Sequence, residues 1–171
     1  IDGLKYVIDI GDEIKTSYDH VHNQDVIEIS KISKAQVNQR IGRTGRTSKG
    51  VAYHMYTTEE YEAFDDYPKT KIESDDIITK ILELINVEKS ITGMINKIQQ
   101  LITVPDVHKI VNCIYRLYLL DCIEINRVPT DWSEIDNYEN LKSITGTITD
   151  MGKNILKFRS VPLECACAMI L

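Results

Sequence analysis

The spacing of hydrophobic residues changes near residue 60 and divides the chain into two parts. In the first part, short β-rich runs are separated by turns, as in the strands of an α/β domain. The predicted strands cover residues 4–11, 13–18, 24–30 and 51–56. Because two of these runs flank a polar tip at 19–23, we predict a β-hairpin over residues 12–30.

One helix is predicted between this hairpin and the last strand. Ser33 is a good N-cap residue, and a helix-compatible run leads from Lys34 to Ile41. Gly42 and Gly45 follow directly and end the helix, since glycine allows an abrupt change of chain direction.

Beyond residue 60, apolar residues recur three and four positions apart, as in amphipathic helices. The predicted elements are helices over 74–87, 91–102 and 107–123, strands at 123–125 and 147–149, and helices over 149–157 and after Pro162. Three helices followed by a two-stranded wing are the element order of a winged helix. The predicted fold class is therefore α/β followed by mostly α.

Two segments are predicted to lack regular structure. The acidic stretch 59–76 contains Pro68 and is expected to be a solvated linker. The polar loop 126–146 contains Trp132, the only tryptophan of the chain. This indole either contacts a partner or folds back on its own domain.

Composition indicates a globular protein. The 171 residues are 43% hydrophobic and 27% charged, and the longest apolar run, 165–171, is far shorter than the roughly 20 residues that a membrane helix needs. The chain begins without a signal peptide or an initiator Met, so we expect a piece of a longer intracellular protein, cytoplasmic or nuclear and possibly viral. The four cysteines form no CxxC pair and are predicted to be buried free thiols, with no metal site.

Charge is distributed unevenly along the chain. The formal net charge is −6, but residues 31–49 contain six basic residues and no acid. Segments 59–76 and 121–139 are acidic. A concentrated basic stretch in an acidic chain indicates a local anion site and not a basic surface.

The run Gln39-Arg40-Ile41-Gly42-Arg43-Thr44-Gly45-Arg46 has the clearest chemistry in that stretch. Its arginines, three residues apart, lie near one face of a helix end. Guanidinium groups match phosphate oxygens and stabilise the charge that develops on a transferring phosphoryl group. A neighbouring Gln can orient the attacking water. The alternative is a solvated basic helix end, which the added Gln and two glycines make unfavourable.

QRIGRTGR resembles motif VI of superfamily 2 helicases, and the preceding Ile32-Ser33-Lys34-Ala35 narrows the resemblance to the DEAH-box (DEAH/RHA) group. Further resemblances fall in the same order as in that family. They are YVIDIG at 6–11, AYHMYT at 52–57, VP at 104–105 with LYLL at 117–120, and GTITDMGK at 146–153. The resemblance covers nearly the whole chain.

This resemblance implies a domain organisation. Residues 1–60 would form the C-terminal part of a second RecA-like helicase domain, a parallel sheet plus the hairpin. Residues 61–73 would be a linker, and 74–158 a winged-helix domain with an insertion at 126–146. Residues 159–171 would begin a ratchet-like helical domain. No GxxxxGK[ST] occurs, so we expect this piece alone not to hydrolyse ATP.

Site residues are also implied by the resemblance. Arg43 and Arg46 would be the arginine fingers that reach the γ-phosphate, and Gln39 would position the water. The implied catalytic residues are Gln39, Arg43 and Arg46, and the implied ATP-binding residues are Asp9, Gln39, Arg40, Gly42, Arg43 and Arg46. Asp9 either contacts nucleotide or is structural, and Arg40 either binds ATP or braces the motif by pairing with a carboxylate. Gly45 is needed for shape.

The implied function is that of a DEAH-type ATP-dependent RNA helicase, which couples ATP hydrolysis to 3′-to-5′ translocation and unwinding. ATP and Mg²⁺ would be held mainly by a first RecA-like domain that this chain lacks. RNA is the implied substrate, with DNA as the alternative, and a protein activator is a further partner. The candidate RNA contacts are Lys15, Lys31 and Lys34, and the hairpin would be a wedge or a plain edge hairpin. The alternative function is a non-enzymatic winged-helix binding module with a relic helicase motif.

Overall fold

The computed structural model describes residues 3–45, 49–158 and 161–170. Two compact units are present: the first contains the residues up to 19 together with 24–74, and the second contains 20–23 and the residues from 75 onward. The predicted order, α/β first and mostly helix afterwards, is confirmed by the element sequence.

Over its described residues, 3–19, 24–45 and 49–74, the first unit contains two small sheets and three helices. Its elements are β1 (Tyr6–Asp9), β2 (Asp12–Asp19), β3 (Gln24–Lys31), α1 (Lys34–Ile41), β4 (Val51–His54), α2 (Thr58–Glu62) and α3 (Lys71–Ser74). Strands β1 and β4 pair in parallel, with Asp9 opposite His54. Strands β2 and β3 form the predicted antiparallel hairpin, with Asp12 opposite Lys31. Its strands leave a tip of four residues, 20–23, where five were predicted.

Helix α1 begins at the predicted N-cap. The Ser33 hydroxyl accepts from the Gln36 amide at 3.2 Å, and the Gln36 side chain accepts from the Ser33 amide at 2.9 Å, which completes a capping box. Below the helix, Ile32 and Val37 pack with Phe64, and all three are buried. The helix ends at Gly42, as predicted.

The structure does not show the solvated linker that was predicted for residues 59–76. Phe64 is only 6% exposed, and the Asp65 and Asp66 carbonyls accept from the first backbone amides of α1, those of Lys34 and Ala35. This segment therefore covers the core of the first unit. The burial of Phe64 could not be predicted among the surrounding acids, because a charge-rich run is typical of solvated chain.

The second unit is mainly helical. Its elements are α4 (Ile78–Glu88), α5 (Ile91–Ile98), α6 (Val107–Leu119), β5 (Ile123–Ile125), a 3-10 turn (Trp132–Glu134), α7 (Tyr138–Leu141), β6 (Gly146–Ile148), α8 (Asp150–Ile155) and α9 (Leu163–Ile170). Strands β5 and β6 pair antiparallel, with Ile125 opposite Gly146. The apolar stripes of α4, α5 and α6 meet in one core, which includes Leu82, Met94 and Ile114.

The predicted polar loop 126–146 is more ordered than expected. It contains the 3-10 turn and α7, and it buries Ile135, Leu141 and Ile144. The ring centroids of Trp132 and Tyr115 are 5.3 Å apart. Of the two alternatives for the indole, the structure shows the second, since Trp132 packs on its own unit.

The cysteines are free thiols, and three of the four are buried as predicted. Cys165 is exposed, which corrects the prediction for that residue: the final apolar helix buries only one side. Burial raises the pKa of Cys113 and of Cys122 to about 12, so both stay protonated at neutral pH. None of the described helices is long and apolar enough to cross a membrane.

One arginine connects three parts of the second unit. Arg116 on α6 donates to Asp76 Oδ2 at 3.0 Å and to Glu164 Oε1 on α9. Its side chain is 14% exposed, so its charge is largely removed from water. Charge-assisted hydrogen bonds to two carboxylates offset that desolvation and tie α9 to α6.

We expect Arg116→Leu to lower the free energy of unfolding by about 1–3 kcal/mol, because two carboxylates lose their partner while the aliphatic packing is kept. Urea denaturation of the purified protein measures this change. Lys153→Leu is the matched control, since the Lys153–Asp150 pair is a solvent-exposed i,i+3 contact. Equal loss in both variants would contradict a special role for Arg116.

Candidate functional site

The parallel pairing of β1 and β4 defines the site. In a parallel pair both strands end at the same edge, so Asp9 lies beside the chain that leaves His54. The Met55 amide donates to the Asp9 carbonyl at 2.9 Å and extends this pairing by one bond. The next residue, Tyr56, reaches the Asp9 side chain.

The Asp9 carboxylate is buried, and both of its oxygens accept hydrogen bonds. Its side chain is 0% exposed. Arg40 Nη1 donates to Oδ1 at 2.7 Å, the Gly11 amide donates to the same oxygen at 3.2 Å, and the Tyr56 hydroxyl donates to Oδ2 at 2.9 Å. Arg40 Nη2 also donates to the Asp12 carbonyl at 3.1 Å. Both terminal nitrogens of the Arg40 guanidinium are therefore hydrogen-bonded.

Electrostatics follow from these contacts. Burial acts to raise the pKa of Asp9, but hydrogen bonds from Arg40, Gly11 and Tyr56 outweigh it and hold that pKa below its ordinary value of 3.8. Burial and the hydrogen bond to Asp9 raise the pKa of Tyr56, so its hydroxyl remains a donor at neutral pH. Asp9 is thus a fixed anion, and Arg40 is its counterion.

Gln39 lies in the last turn of α1, and Arg43 follows the Gly42 cap directly beyond the helix end. Both residues are exposed. Gly42 caps the helix with its amide on the Arg40 and Asn38 carbonyls. Gly45 has φ +75°, a left-handed conformation that favours glycine. Arg46, predicted as a second arginine finger, lies outside the described residues.

The arrangement separates the predicted ATP-binding residues into two groups. Asp9 and Arg40 bind each other, and this matches the structural alternative for Asp9 and the bracing alternative for Arg40. Gln39 and Arg43 present an amide and a guanidinium to solvent, and these are the donor types that bind phosphate oxygens. Direct contact with nucleotide remains a prediction for all four residues.

The lysines predicted to contact RNA have different surroundings. Lys31 Nζ lies 2.8 Å from Asp12 Oδ1, and this hydrogen bond raises the lysine pKa. Lys34 Nζ lies 3.4 Å from Asp66 Oδ1 and 4.0 Å from Glu62 Oε2. Their charges are thus partly neutralised within the unit. Lys15 lines a polar pocket of about 260 Å³ between the hairpin and residues 65–69.

Sequence reasoning missed several contacts of the site. The sequence predicts Tyr56 only as part of a strand, and it does not indicate the contacts of the Gly11 amide and the Asp12 carbonyl. Gln36 Nε2 also donates to Glu13 Oε2 at 2.6 Å, which ties α1 to β2. The Ser33-x-x-Gln36 spacing was a usable signal for the capping box. No local signal marks Tyr56, because its contact with Asp9 depends on how distant segments pair.

Comparison with known proteins gives a consistent set of relatives. No family model matches the chain. It is 33% identical over 166 residues to the putative ATP-dependent RNA helicase L540 of Acanthamoeba polyphaga mimivirus, an alignment that covers 96% of the chain and 21% of that protein. It is 34% identical over 85 residues to the human ATP-dependent RNA helicase DHX33, covering 50% of the chain and 12% of that protein. The chain spans about a fifth or less of the length of these curated relatives.

A similar fold occurs among solved structures. The crystal structure of the E. coli DExH-box NTPase HrpB matches with a TM-score of 0.74 at 18% sequence identity, covering 99% of the chain and 18% of that protein. A second crystal structure, that of the Escherichia coli DEAH/RHA helicase HrpB, matches equally well. At this identity the likeness establishes the fold: mixed α and β elements with a small parallel sheet.

The buried ion pair predicts a pH dependence. Since the folded-state pKa of Asp9 is below 3.8, the carboxylate contributes stability above the unfolded-state pKa. This contribution is lost as the pH falls through the folded-state value. We expect Asp9→Asn to be less stable than wild type at neutral pH and to lose less stability between pH 7 and about pH 3.

Denaturant midpoints at a series of pH values measure this dependence. Asp25→Asn, at an exposed hairpin position, is the control and should keep the wild-type profile. A parallel acid profile for Asp9→Asn and wild type would show that Asp9 is not the titrating group.

Proposed function

We infer that the chain is one part of an ATP-dependent RNA helicase, because its homologues are DExH- and DEAH-box ATP-dependent RNA helicases. The alignment with the mimivirus relative spans nearly the whole chain, so both units fall within this homology. The whole protein would therefore be an enzyme that hydrolyses ATP, and this chain would contribute some of its catalytic residues.

The observation that carries this proposal is the orientation of α1. Arg40 donates to buried Asp9, whereas Gln39 in the last turn of α1 and Arg43 just beyond its Gly42 cap are exposed. An anchored helix end that presents a guanidinium and an amide is suited to a phosphoryl group, whose charge develops on its oxygens during transfer. We propose that Arg43, with Arg46, contacts the γ-phosphate and that Gln39 positions the water.

The residues present fit one part of an ATP site. The exposed donors suit the γ-phosphate, but Asp9 is occupied by Arg40 and is not available to a metal ion. Among the described residues, no group of three or more histidines, cysteines or carboxylates is placed to hold a metal ion. Mg²⁺ and the other phosphates would therefore be bound by a first RecA-like domain, and Mg²⁺ would neutralise the charge on the phosphates.

The two units fit two helicase domains. We propose the first unit as the C-terminal part of a second RecA-like domain, supported by the parallel β1–β4 pair and the hairpin. We propose residues 74–158 as a winged helix, supported by α4, α5 and α6 followed by the β5–β6 pair. Residues 159–171 would begin the ratchet-like domain.

The hairpin is proposed as a wedge or guide on RNA. Ile14, Ile27 and Ile29 are each more than 70% exposed, and Ile14 pairs directly with Ile29 across the strands. An exposed aliphatic face can pack against a base pair that is being opened, as apolar wedges do in nucleic-acid binders. We also propose that the whole protein translocates on RNA in the 3′-to-5′ direction. A protein activator is proposed as a further partner.

The first test is made on the longest reading frame that contains this chain. We expect Arg43→Ala to reduce RNA-stimulated ATP turnover by about 10³-fold or more, as loss of an arginine finger does. Arg43→Lys should recover little of this loss, because an ammonium lacks the planar fork of guanidinium. Turnover is measured with and without single-stranded RNA.

Arg127→Ala is the control, since Arg127 is an exposed arginine outside α1. Near-normal turnover in Arg43→Ala would contradict the assignment of this segment. Absence of any turnover, together with salt-sensitive RNA binding, would support the alternative of a binding module with a relic motif.

The hairpin gives a separate prediction. We expect Ile14→Ser combined with Ile29→Ser to reduce duplex unwinding by about fivefold or more, since an apolar wedge offsets an unstacking cost of about a few kcal/mol per base step. RNA-stimulated ATP turnover should stay near wild type. A strand-displacement assay measures the first quantity, and Val87→Ser, at an exposed valine of α4, is the control. Unchanged unwinding would indicate a plain edge hairpin.

A further inference from the structure

The Tyr56 hydroxyl occupies a position that the helicase proposal does not use. It donates to Asp9 Oδ2 at 2.9 Å, whereas Arg40 and the Gly11 amide both donate to Oδ1. In this buried carboxylate, Tyr56 therefore satisfies the oxygen that Arg40 does not bind. Without the hydroxyl, Oδ2 would lose its hydrogen bond away from water, and the carboxylate could rotate away from Arg40.

The surroundings hold the Tyr56 ring in place independently of its hydroxyl. Its centroid lies 5.2 Å from that of Phe64 and 6.4 Å from that of Tyr61. Gly11, with φ +79°, allows this approach, since a Cβ there would lie 2.7 Å from the ring. Removal of the hydroxyl alone should therefore leave the packing intact.

The direction of the hydroxyl is fixed from the other side. His54 Nδ1 lies 2.7 Å from the Tyr56 oxygen. Because the hydroxyl hydrogen is donated to Asp9, the imidazole donates its Nδ1–H to that oxygen. A chain of hydrogen bonds thus runs from exposed His54 through Tyr56 and Asp9 to Arg40.

We infer that Tyr56 is a positioning residue for the phosphate-facing end of α1: its hydroxyl orients Asp9, Asp9 holds Arg40, and Arg40 sets the direction of Gln39 and Arg43. This inference rests on the proposed function, because it concerns the geometry of the same arginine segment. Tyr56 acts through Asp9 and Arg40 and needs no contact with nucleotide.

Tyr56→Phe in the full-length protein tests the inference. We expect kcat for RNA-stimulated ATP hydrolysis to fall by about tenfold to a hundredfold, the range expected from small misplacement of catalytic groups. The KM for ATP should stay within about twofold, because only the alignment of Gln39 and Arg43 changes. The melting temperature should change by no more than a few degrees, since the ring packing remains.

Two comparisons separate positioning from a merely structural role. Tyr53→Phe is the matched control: Tyr53 is 53% exposed, pairs with Ile8 and faces away from Asp9, so its kcat should equal that of wild type. In an Arg40→Gln background, Tyr56→Phe should produce no further loss of kcat, because the group through which it acts is already gone.

The outcomes distinguish this inference from the function it rests on. If wild type hydrolyses ATP and Arg43→Ala does not, but Tyr56→Phe equals wild type, the positioning role is overturned and the function stands. Losses of kcat that add in the Arg40→Gln background would also overturn it. If wild type shows no ATP turnover, the proposed function fails and the inference fails with it.

Discussion

The buried ion pair between Asp9 and Arg40 is the constraint on which the first unit depends. A carboxylate removed from water is costly unless its oxygens are bound, and here three different segments supply the donors. These segments are the end of α1, the turn after β1 and the chain that leaves β4. The pair therefore determines how the helix, the turn and the sheet meet, and the exposed face of α1 is positioned as a consequence.

Helix α1 uses adjacent residues for opposite tasks. The half-buried Arg40 reaches the buried Asp9, while Gln39 and, beyond the helix end, Arg43 are exposed. Arginines at three-residue steps drift around a helix of 3.6 residues per turn, so they do not all share one environment. The same spacing that suggests three equivalent phosphate ligands thus yields one anchor and one exposed guanidinium among the described arginines of α1 and its C-terminal turn.

Much of the fold could be predicted from local patterns. The hairpin, the Ser33 cap, the three main helices of the second unit and the strand at 123–125 follow from periodicity and turn residues. The role of 61–73 could not be predicted in this way, because a single buried aromatic, Phe64, decides it against many acids. For the site, QRIGRTGR identified the segment, but the choice between structural and nucleotide-binding roles for Asp9 required the pairing of β1 with β4. The contact between Tyr56 and Asp9 could not be predicted for the same reason.

The distribution of charge agrees with a local phosphate contact and not with a broad RNA surface. In the basic stretch 31–49, Lys31 is bound to Asp12, Lys34 to Asp66, and Arg40 to Asp9. Since these pairs neutralise the first half of the stretch, the positive potential that remains is concentrated beyond the end of α1, where Arg43 is exposed. Nonspecific affinity for nucleic acid grows with the number of phosphates that cations neutralise. In the described part of this stretch, the three ion pairs therefore reduce the number of cations that can neutralise phosphates, while the Arg43 guanidinium stays exposed.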